Sequence, residues 1–142
     1  MDPAWEAQAL RILVVEDDLD DQELLRLAIE RNDVAATLEP AFSGRDALQM
    51  LEDGPPPDLI LLDLRLPDMA GLEILRRVKQ HPQWARIPVI ILSGSANPTD
   101  VEEGYAAHAS AYLQKPTSRD GWQQLVRSFV DYWLKAVLLP KG

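Results

Sequence analysis

The sequence contains no cysteine, which excludes disulfides and any zinc or redox site built on thiolates. Basic residues are in the minority, with 14 Lys and Arg against 23 Asp and Glu and a net charge of −9. This balance disfavours nucleic-acid binding, because a basic surface is needed to meet phosphates. No apolar run reaches the length of a membrane span. Residues 1–10 lack the basic and apolar regions of a signal peptide, so we expect a cytoplasmic protein.

The most informative segment that is present is the apolar run Leu59–Leu62, which ends in Asp63. Four successive apolar residues are typical of a parallel strand that is buried on both faces. Pro67 and Gly71 then break the chain into a loop. A carboxylate at the carboxyl end of such a strand stands where open α/β sheets bind their ligands.

Three other predicted strands also end in polar residues. The strand Arg11–Val15 runs into Glu16 and Asp17, the strand after Pro88 runs into Ser93, and Ala111–Gln114 runs into Lys115. Because the carboxyl ends of parallel strands meet at one edge of a sheet, we expect these side chains to converge.

The segments between the strands show apolar residues at helical spacing, which predicts amphipathic helices. A weak strand over Ala36–Phe42 contains Pro40, which suits an edge strand because proline lacks an N–H donor. The predicted buried residues are Leu24, Leu27 and Ala28 in the first helix, Ala47, Leu48 and Leu51 in the second, and Leu72, Leu75 and Val78 in the third, which spans Gly71 to Gln80.

Strands and helices alternate five times, which predicts an α/β fold with a five-stranded parallel sheet and helices on both faces. A length of 142 residues suits one domain with one core. We interpret residues 1–10 as an N-terminal tail and residues 11–142 as one domain, which closes with a long helix from about Ser118 to Leu138.

These motifs together resemble the receiver domain of two-component response regulators, over about residues 11–135. The acidic pair follows strand one, Asp63 matches the phosphoacceptor, and Pro67-Asp68-Met69-Ala70-Gly71 fits the loop P-x-M-x-G. Ser93 and Tyr112 match the switch residues, and Lys115-Pro116 matches the Lys-Pro after strand five. The resemblance implies a flavodoxin-like, doubly wound fold with five helices and strand order 2-1-3-4-5.

The resemblance also implies phosphoryl transfer from a phosphohistidine on a sensor histidine kinase to Asp63. Such transfer needs a divalent cation beside the nucleophile, and Mg²⁺ prefers oxygen ligands. We assign Asp17 and Asp63 as direct ligands, with the backbone carbonyl of Arg65 as the third. Glu16 is expected to act through a water. The Arg65 side chain either borders the phosphate or faces solvent.

The remaining site residues are expected to bind the phosphate and to couple its presence to a conformational change. Lys115 would pair with Asp63 before transfer and with a phosphate oxygen afterwards. Ser93 would donate its hydroxyl to another phosphate oxygen, and Tyr112 would then turn inward as part of a two-state switch. On this interpretation the protein is no enzyme beyond its own phosphorylation and dephosphorylation. The chain ends about where a receiver domain ends, so signalling is expected to pass through protein contact.

The last predicted helix is apolar over more than one face. One stripe can pack on the sheet, and the rest either forms a protein interface or covers more of the core. A symmetric homodimer is the default for such an interface. The ending Tyr132–Pro140 also resembles the small single-domain regulators that accompany phytochromes, which implies a phytochrome kinase as partner. The candidate interface residues are Trp122, Leu125, Phe129, Trp133, Leu134 and Leu138.

Three rival interpretations remain at this stage. A phosphatase of the haloacid dehalogenase class would want a second aspartate two residues after Asp63, where this chain has Arg65. A flavodoxin-like FMN protein would need a phosphate-cradling loop after strand one, where the chain is acidic. The third rival is a receiver-like module that binds or dimerises without phosphorylation, and the intact Asp63, Asp17 and Lys115 argue against it.

Overall fold

A computed structural model describes residues 10–32 and 34–140 of the chain. The strands are β1 (Leu10–Val15), β2 (Ala36–Ala41), β3 (Leu59–Leu62), β4 (Val89–Ser93) and β5 (Ala111–Gln114). The helices are α1 (Leu19–Glu30), α2 (Gly44–Asp53), α3 (Gly71–Gln80), α4 (Pro98–Ala106) and α5 (Arg119–Phe129), and a π-helix over Val130–Ala136 continues α5.

The five strands form one parallel sheet in the order β2-β1-β3-β4-β5. The predicted flavodoxin-like topology is therefore confirmed. β2 is an edge strand, as predicted from Pro40, and it pairs with β1. β3 is central, and all four of its residues are buried, as expected for a strand covered on both faces. Asp63, which follows β3, therefore lies at the middle of the carboxyl edge of the sheet.

The core lies in two layers, one on each face of the sheet, because successive strand residues point to opposite faces. On one face, Leu13, Ile60 and Ile91 pack against α2 and α3. On the other face, strand residues such as Ile12 and Leu61 pack against α1 and α5. The predicted helices on both faces are thus present.

The predicted helical stripes need correction in all three helices. In α1, Leu27 is exposed and Leu24 is half-buried, and Leu25 and Ile29 join Ala28 in the core. In α3, Ile74 is buried beside Leu75 and Val78. The predicted Leu72 in α3 and Leu48 in α2 are only half-buried. The errors in α1 and α3 arise where several apolar residues are neighbours, so that the spacing alone admits more than one buried face.

Two predicted strand boundaries also shift. Leu10 belongs to β1 and not to the tail, and β2 ends before the exposed Phe42. The rest of the predicted tail, including Trp5, lies outside the described residues. No helix among the described residues is long and apolar enough to cross a membrane.

The predicted last helix keeps α-helical geometry only as far as Phe129. The chain then widens into the π-helix, where Val137 N–H donates to the carbonyl oxygen of Tyr132 five residues earlier, at 2.8 Å. Val137 has extended backbone, so the helical part ends at Ala136 and not at Leu138.

Candidate phosphoacceptor site

Four strands bring the predicted polar side chains to one edge of the sheet. Glu16 follows β1, Asp63 follows β3, Ser93 ends β4 and Lys115 follows β5. The Asp63 N–H donates to the carbonyl of Val15 at 3.0 Å, and the Lys115 N–H donates to the carbonyl of Ser93 at 2.7 Å. The sheet therefore fixes the backbone that carries these side chains.

Lys115 lies among three carboxylates. Its Nζ is 2.9 Å from Oδ2 of Asp63 and 2.9 Å from Oδ2 of Asp21, and it also donates to Oε1 of Glu16. Glu16 and Asp63 are buried, at 5% and 7% exposure. Charge pairs in such surroundings interact more strongly than pairs at the surface. The ammonium group is thus held in place by three partners at once.

The pKa values reflect this crowding. Burial raises the pKa of Glu16 to about 8, and repulsion by Asp63 adds to the increase, although the hydrogen bond from Lys115 opposes it. Burial lowers the pKa of Lys115, but its hydrogen bonds to the three carboxylates outweigh burial and raise the pKa overall. The site therefore carries a surplus of negative charge that a cation would relieve.

Glu16, Asp17 and Asp63 fit a divalent cation. Each offers a carboxylate oxygen, and the three oxygens lie within 4.8 Å of one another. Hard cations such as Mg²⁺ and Ca²⁺ take oxygen ligands of this kind. Asp17 is exposed while the other two are buried, so the cluster opens to solvent on the Asp17 side. The residues present therefore match the expected metal.

Arg65 contacts the site through its backbone. Its N–H donates to Oδ1 of Asp63 at 3.2 Å, and its side chain is exposed. One Asp63 oxygen is thus oriented by this N–H and the other by Lys115. The metal-binding role of the Arg65 carbonyl stays a prediction.

Ser93 and Tyr112 are linked through Ser95. Ser93 is 1% exposed, and its Oγ accepts a hydrogen bond from the Ser95 N–H at 3.3 Å. The Tyr112 hydroxyl donates to the Ser95 carbonyl at 2.9 Å, and the Ser95 hydroxyl donates to Asp100 at 2.6 Å. A movement of Ser93 would therefore be felt at Tyr112 through the loop between β4 and α4.

Three polar side chains in or near the site make contacts that were not foreseen from the sequence. Asp21 pairs with Lys115 through its carboxylate. Gln22 is buried, and its Nε2 donates to the carbonyls of Val14 at 3.0 Å and Glu16 at 3.1 Å. Asp68 accepts from the N–H groups at the start of α2. The sequence did offer one sign of this role for Gln22, because a polar residue stands there on the side of α1 that faces the core.

The candidate interface residues divide into three groups by burial. Trp122 and Phe129 are buried within the domain, at 4% and 5% exposure, so they belong to the core and not to an interface. Leu125, Trp133 and Leu134 are half-buried and pack at the margin of the core. Leu138 is 95% exposed. The alternative in which this helix covers its own core thus holds for the first group.

Fold and site together define a receiver domain. The family model for the response regulator receiver domain matches residues 12–127, and the chain belongs to this family. It is therefore a response regulator of the two-component class, as the sequence motifs predicted, and receiver domains bind a divalent metal.

Among its relatives, the chain is 36% identical over 135 residues to "Response regulator Rcp1" of Synechocystis sp., which covers 91% of this chain and 92% of that protein. The crystal structure of the Mn(2+)-bound form of Rcp1 superposes with a TM-score of 0.88 at 35% identity, covering 93% of this chain and 99% of that one. The phosphorylated cyanobacterial phytochrome response regulator RcpA gives a TM-score of 0.88 at 31% identity, covering 94% and 100%.

Proposed function

We propose that the protein accepts a phosphoryl group on Asp63 from a sensor histidine kinase and signals by contact with other proteins. The observation that carries this proposal is the position of the Asp63 carboxylate. It lies at the carboxyl end of β3, with Lys115 on one oxygen and the cluster of Glu16 and Asp17 beside it. Phosphoryl transfer requires this combination of nucleophile, positive charge and cation ligands.

In the proposed transfer, an Asp63 carboxylate oxygen forms a bond to phosphorus while the bond from phosphorus to the donor imidazole nitrogen breaks. The electron pair of that bond leaves with the nitrogen. Lys115 then shifts from the carboxylate to a phosphate oxygen, and Ser93 donates its hydroxyl to another. Mg²⁺, held directly by Asp17, Asp63 and the Arg65 carbonyl and through a water by Glu16, would offset the negative charge of the phosphoryl oxygens. The only other catalysis that we assign is hydrolysis of the aspartyl phosphate, in which a water oxygen bonds to phosphorus, the bond from phosphorus to Asp63 breaks, and inorganic phosphate leaves.

The switch would run from Ser93 to Tyr112. Ser93 moves toward the phosphate, the Ser95 carbonyl moves with it, and the hydroxyl of Tyr112 loses or changes its partner. Tyr112 is half-buried against the core, and we propose that its ring turns further inward when that hydrogen bond is released.

We further propose a phytochrome kinase as the phosphodonor, since RcpA is a phytochrome response regulator and shares the whole length of the fold. A homodimer would form through Leu125, Trp133, Leu134 and Leu138, the candidate residues that are not fully buried. We propose that the protein acts in the cytoplasm, and its negative net charge argues against nucleic acid as a partner.

The test is intact mass after incubation with Mg²⁺ and acetyl phosphate. We expect the wild type to gain one phosphoryl group and Asp63→Asn to gain none. Asp68→Asn is the matched control, because it removes an exposed carboxylate from the same loop and should still be phosphorylated. Gain in the Asp63→Asn variant would overturn Asp63 as the acceptor.

The second candidate function is a dimerisation module that works without phosphorylation. A sizing column run on the same samples distinguishes it from the phosphoacceptor. The exposed Tyr132 and Leu138, at 60% and 95%, favour a surface that would work in either state. A wild type that binds Mg²⁺, takes up no phosphoryl group and elutes as a dimer would support this module in place of the phosphoacceptor.

A further inference from the structure

The contact between Asp21 and Lys115 is unexplained by the proposed chemistry. Asp21 Oδ2 lies 2.9 Å from Lys115 Nζ, the same distance as Asp63 Oδ2. The Asp21 side chain is 23% exposed, against 9% for that of Asp63. Asp21 therefore lies at the solvent side of the site and competes with the nucleophile for one ammonium group.

The position of Asp21 is fixed by the start of α1. The Asp18 side chain caps this helix and accepts from the N–H groups of Asp20 at 2.8 Å and Asp21 at 3.1 Å. Gln22, the next residue, is anchored to the carbonyl of Glu16. The backbone of Asp21 is thus held on both sides, and its carboxylate faces Lys115 as part of the built site.

The charge balance gives Asp21 a role. Glu16, Asp17, Asp21 and Asp63 supply four carboxyl groups, and Lys115 supplies one positive charge. Coulomb attraction over a few ångströms makes each carboxylate favour a divalent cation. The same negative charge repels an incoming anionic phosphodonor and occupies the ammonium group that the phosphate needs.

We propose that Asp21 is a positioning residue that strengthens metal binding and slows phosphorylation, because it adds negative charge to the site and competes for the Lys115 ammonium group that the phosphate needs. This inference rests on the proposed function of Asp63. During transfer from acetyl phosphate, the bond from Asp63 to phosphorus forms as the bond from phosphorus to the acetate oxygen breaks, and acetate leaves with the electron pair. Asp21 takes no part in these bonds and acts through Lys115.

The test compares Asp21→Asn with Asp20→Asn. Asp20 is an exposed acid in the same helical turn, and it is not among the ion-pair partners of Lys115 that the described residues provide. Both variants lose one negative charge from the first turn of α1. Only Asp21→Asn should change the site, and Asp21→Glu should restore the wild-type behaviour.

Two readouts are needed, the Mg²⁺ dissociation constant from calorimetry and the rate of mass gain with acetyl phosphate at saturating Mg²⁺. We expect Asp21→Asn to weaken Mg²⁺ binding by about threefold to tenfold and to raise the saturated rate by a similar factor, from the loss of one nearby charge. A merely structural defect would weaken binding and lower the rate together, and that result would overturn the proposal.

Equal Mg²⁺ dissociation constants and equal phosphorylation rates for Asp21→Asn and Asp20→Asn would also overturn the proposal. A failure of the proposed function has a different signature. In that case the wild type takes up no phosphoryl group, and the Mg²⁺ constants alone decide whether Asp21 acts on the site.

Discussion

Gly71 packs directly against the backbone of Asp63, with no room for a side chain between them. A β-carbon on Gly71 would overlap the carbonyl oxygen of Asp63 and lie 2.7 Å from Cα of Leu64. The Gly71 N–H also donates to the Leu64 carbonyl at 2.9 Å. The start of α3 is therefore pressed against the residue that carries the proposed chemistry.

Gly71→Ala should destabilise the protein by about 1–3 kcal/mol, because the atoms in the way are backbone and cannot rotate aside. Gly94→Ala is a matched control, since a β-carbon there meets nothing within 4 Å. Urea unfolding gives the two free energies of unfolding. Equal stability of the two variants would contradict the close approach.

Lys79→Met should cost about 1.5–3 kcal/mol, the range for charged hydrogen bonds. Lys79 Nζ donates to the carbonyls of Ala85 at 3.0 Å and Ile87 at 2.6 Å, and so secures the loop between α3 and β4. Methionine keeps the apolar stem and removes the donor. Lys135→Met, at an exposed position, is the control and should leave the urea midpoint nearly unchanged. A loss of stability in this control as large as that of Lys79→Met would refute the role assigned to the Lys79 hydrogen bonds.

The Asp68 cap should make stability depend on pH. The N–H groups of Arg45 and Gly44 donate to its carboxylate at 2.9 and 2.8 Å and hold its pKa below the ordinary value of 3.8. A depressed carboxyl pKa stabilises the fold above the unfolded pKa, and this contribution is lost as pH falls through the folded pKa. Asp68→Ala should therefore lower Tm at neutral pH and make little difference in strong acid. A Tm difference that stays constant with pH would contradict the cap.

Glu16 should act in the opposite sense in the metal-free protein. Its pKa is raised mainly by burial, from 4.5 to about 8, so between these values the folded state holds a proton that the unfolded chain has lost. Stability attributable to Glu16 is then present at low pH and falls as pH rises through this window. In the presence of a chelator, the Tm of Glu16→Gln relative to that of the wild type should rise as pH increases. Parallel profiles of Tm against pH for Glu16→Gln and the wild type would count against a protonated Glu16. Glu102→Gln, at the surface, is the control.

The sheet and its polar edge could be predicted because their determinants are local in the sequence. Each buried strand is a short apolar run, and Asp63, Ser93 and Lys115 follow such runs directly. The topology rule for parallel sheets then brings these strand ends together. The contacts of Asp21 and Asp68 depend instead on elements distant in the sequence, so local patterns did not indicate them.

The helical faces were harder to predict for a geometric reason. Leu24, Leu25 and Leu27 are equally apolar, and only packing against α5 decides which of them is buried. The π-helix changes the number of residues per turn after Phe129, so an α-helical projection places the later side chains on the wrong face. The core residues Trp122 and Phe129 were included in the predicted interface for another reason, since both lie before the π-helix, on a helix whose apolar residues occupy more than one face.

Pro140 lines a cavity of about 370 Å³ with Pro57 and Pro88, beneath the starts of β3 and β4. It therefore lies at the far end of the sheet from Asp63, roughly 15 Å away along strands of this length. Because the sequence has no cysteine, Pro140→Cys would give a single attachment point for a fluorophore. A dye placed there could follow the assembly of the protein while the phosphoacceptor pocket stays open to its kinase.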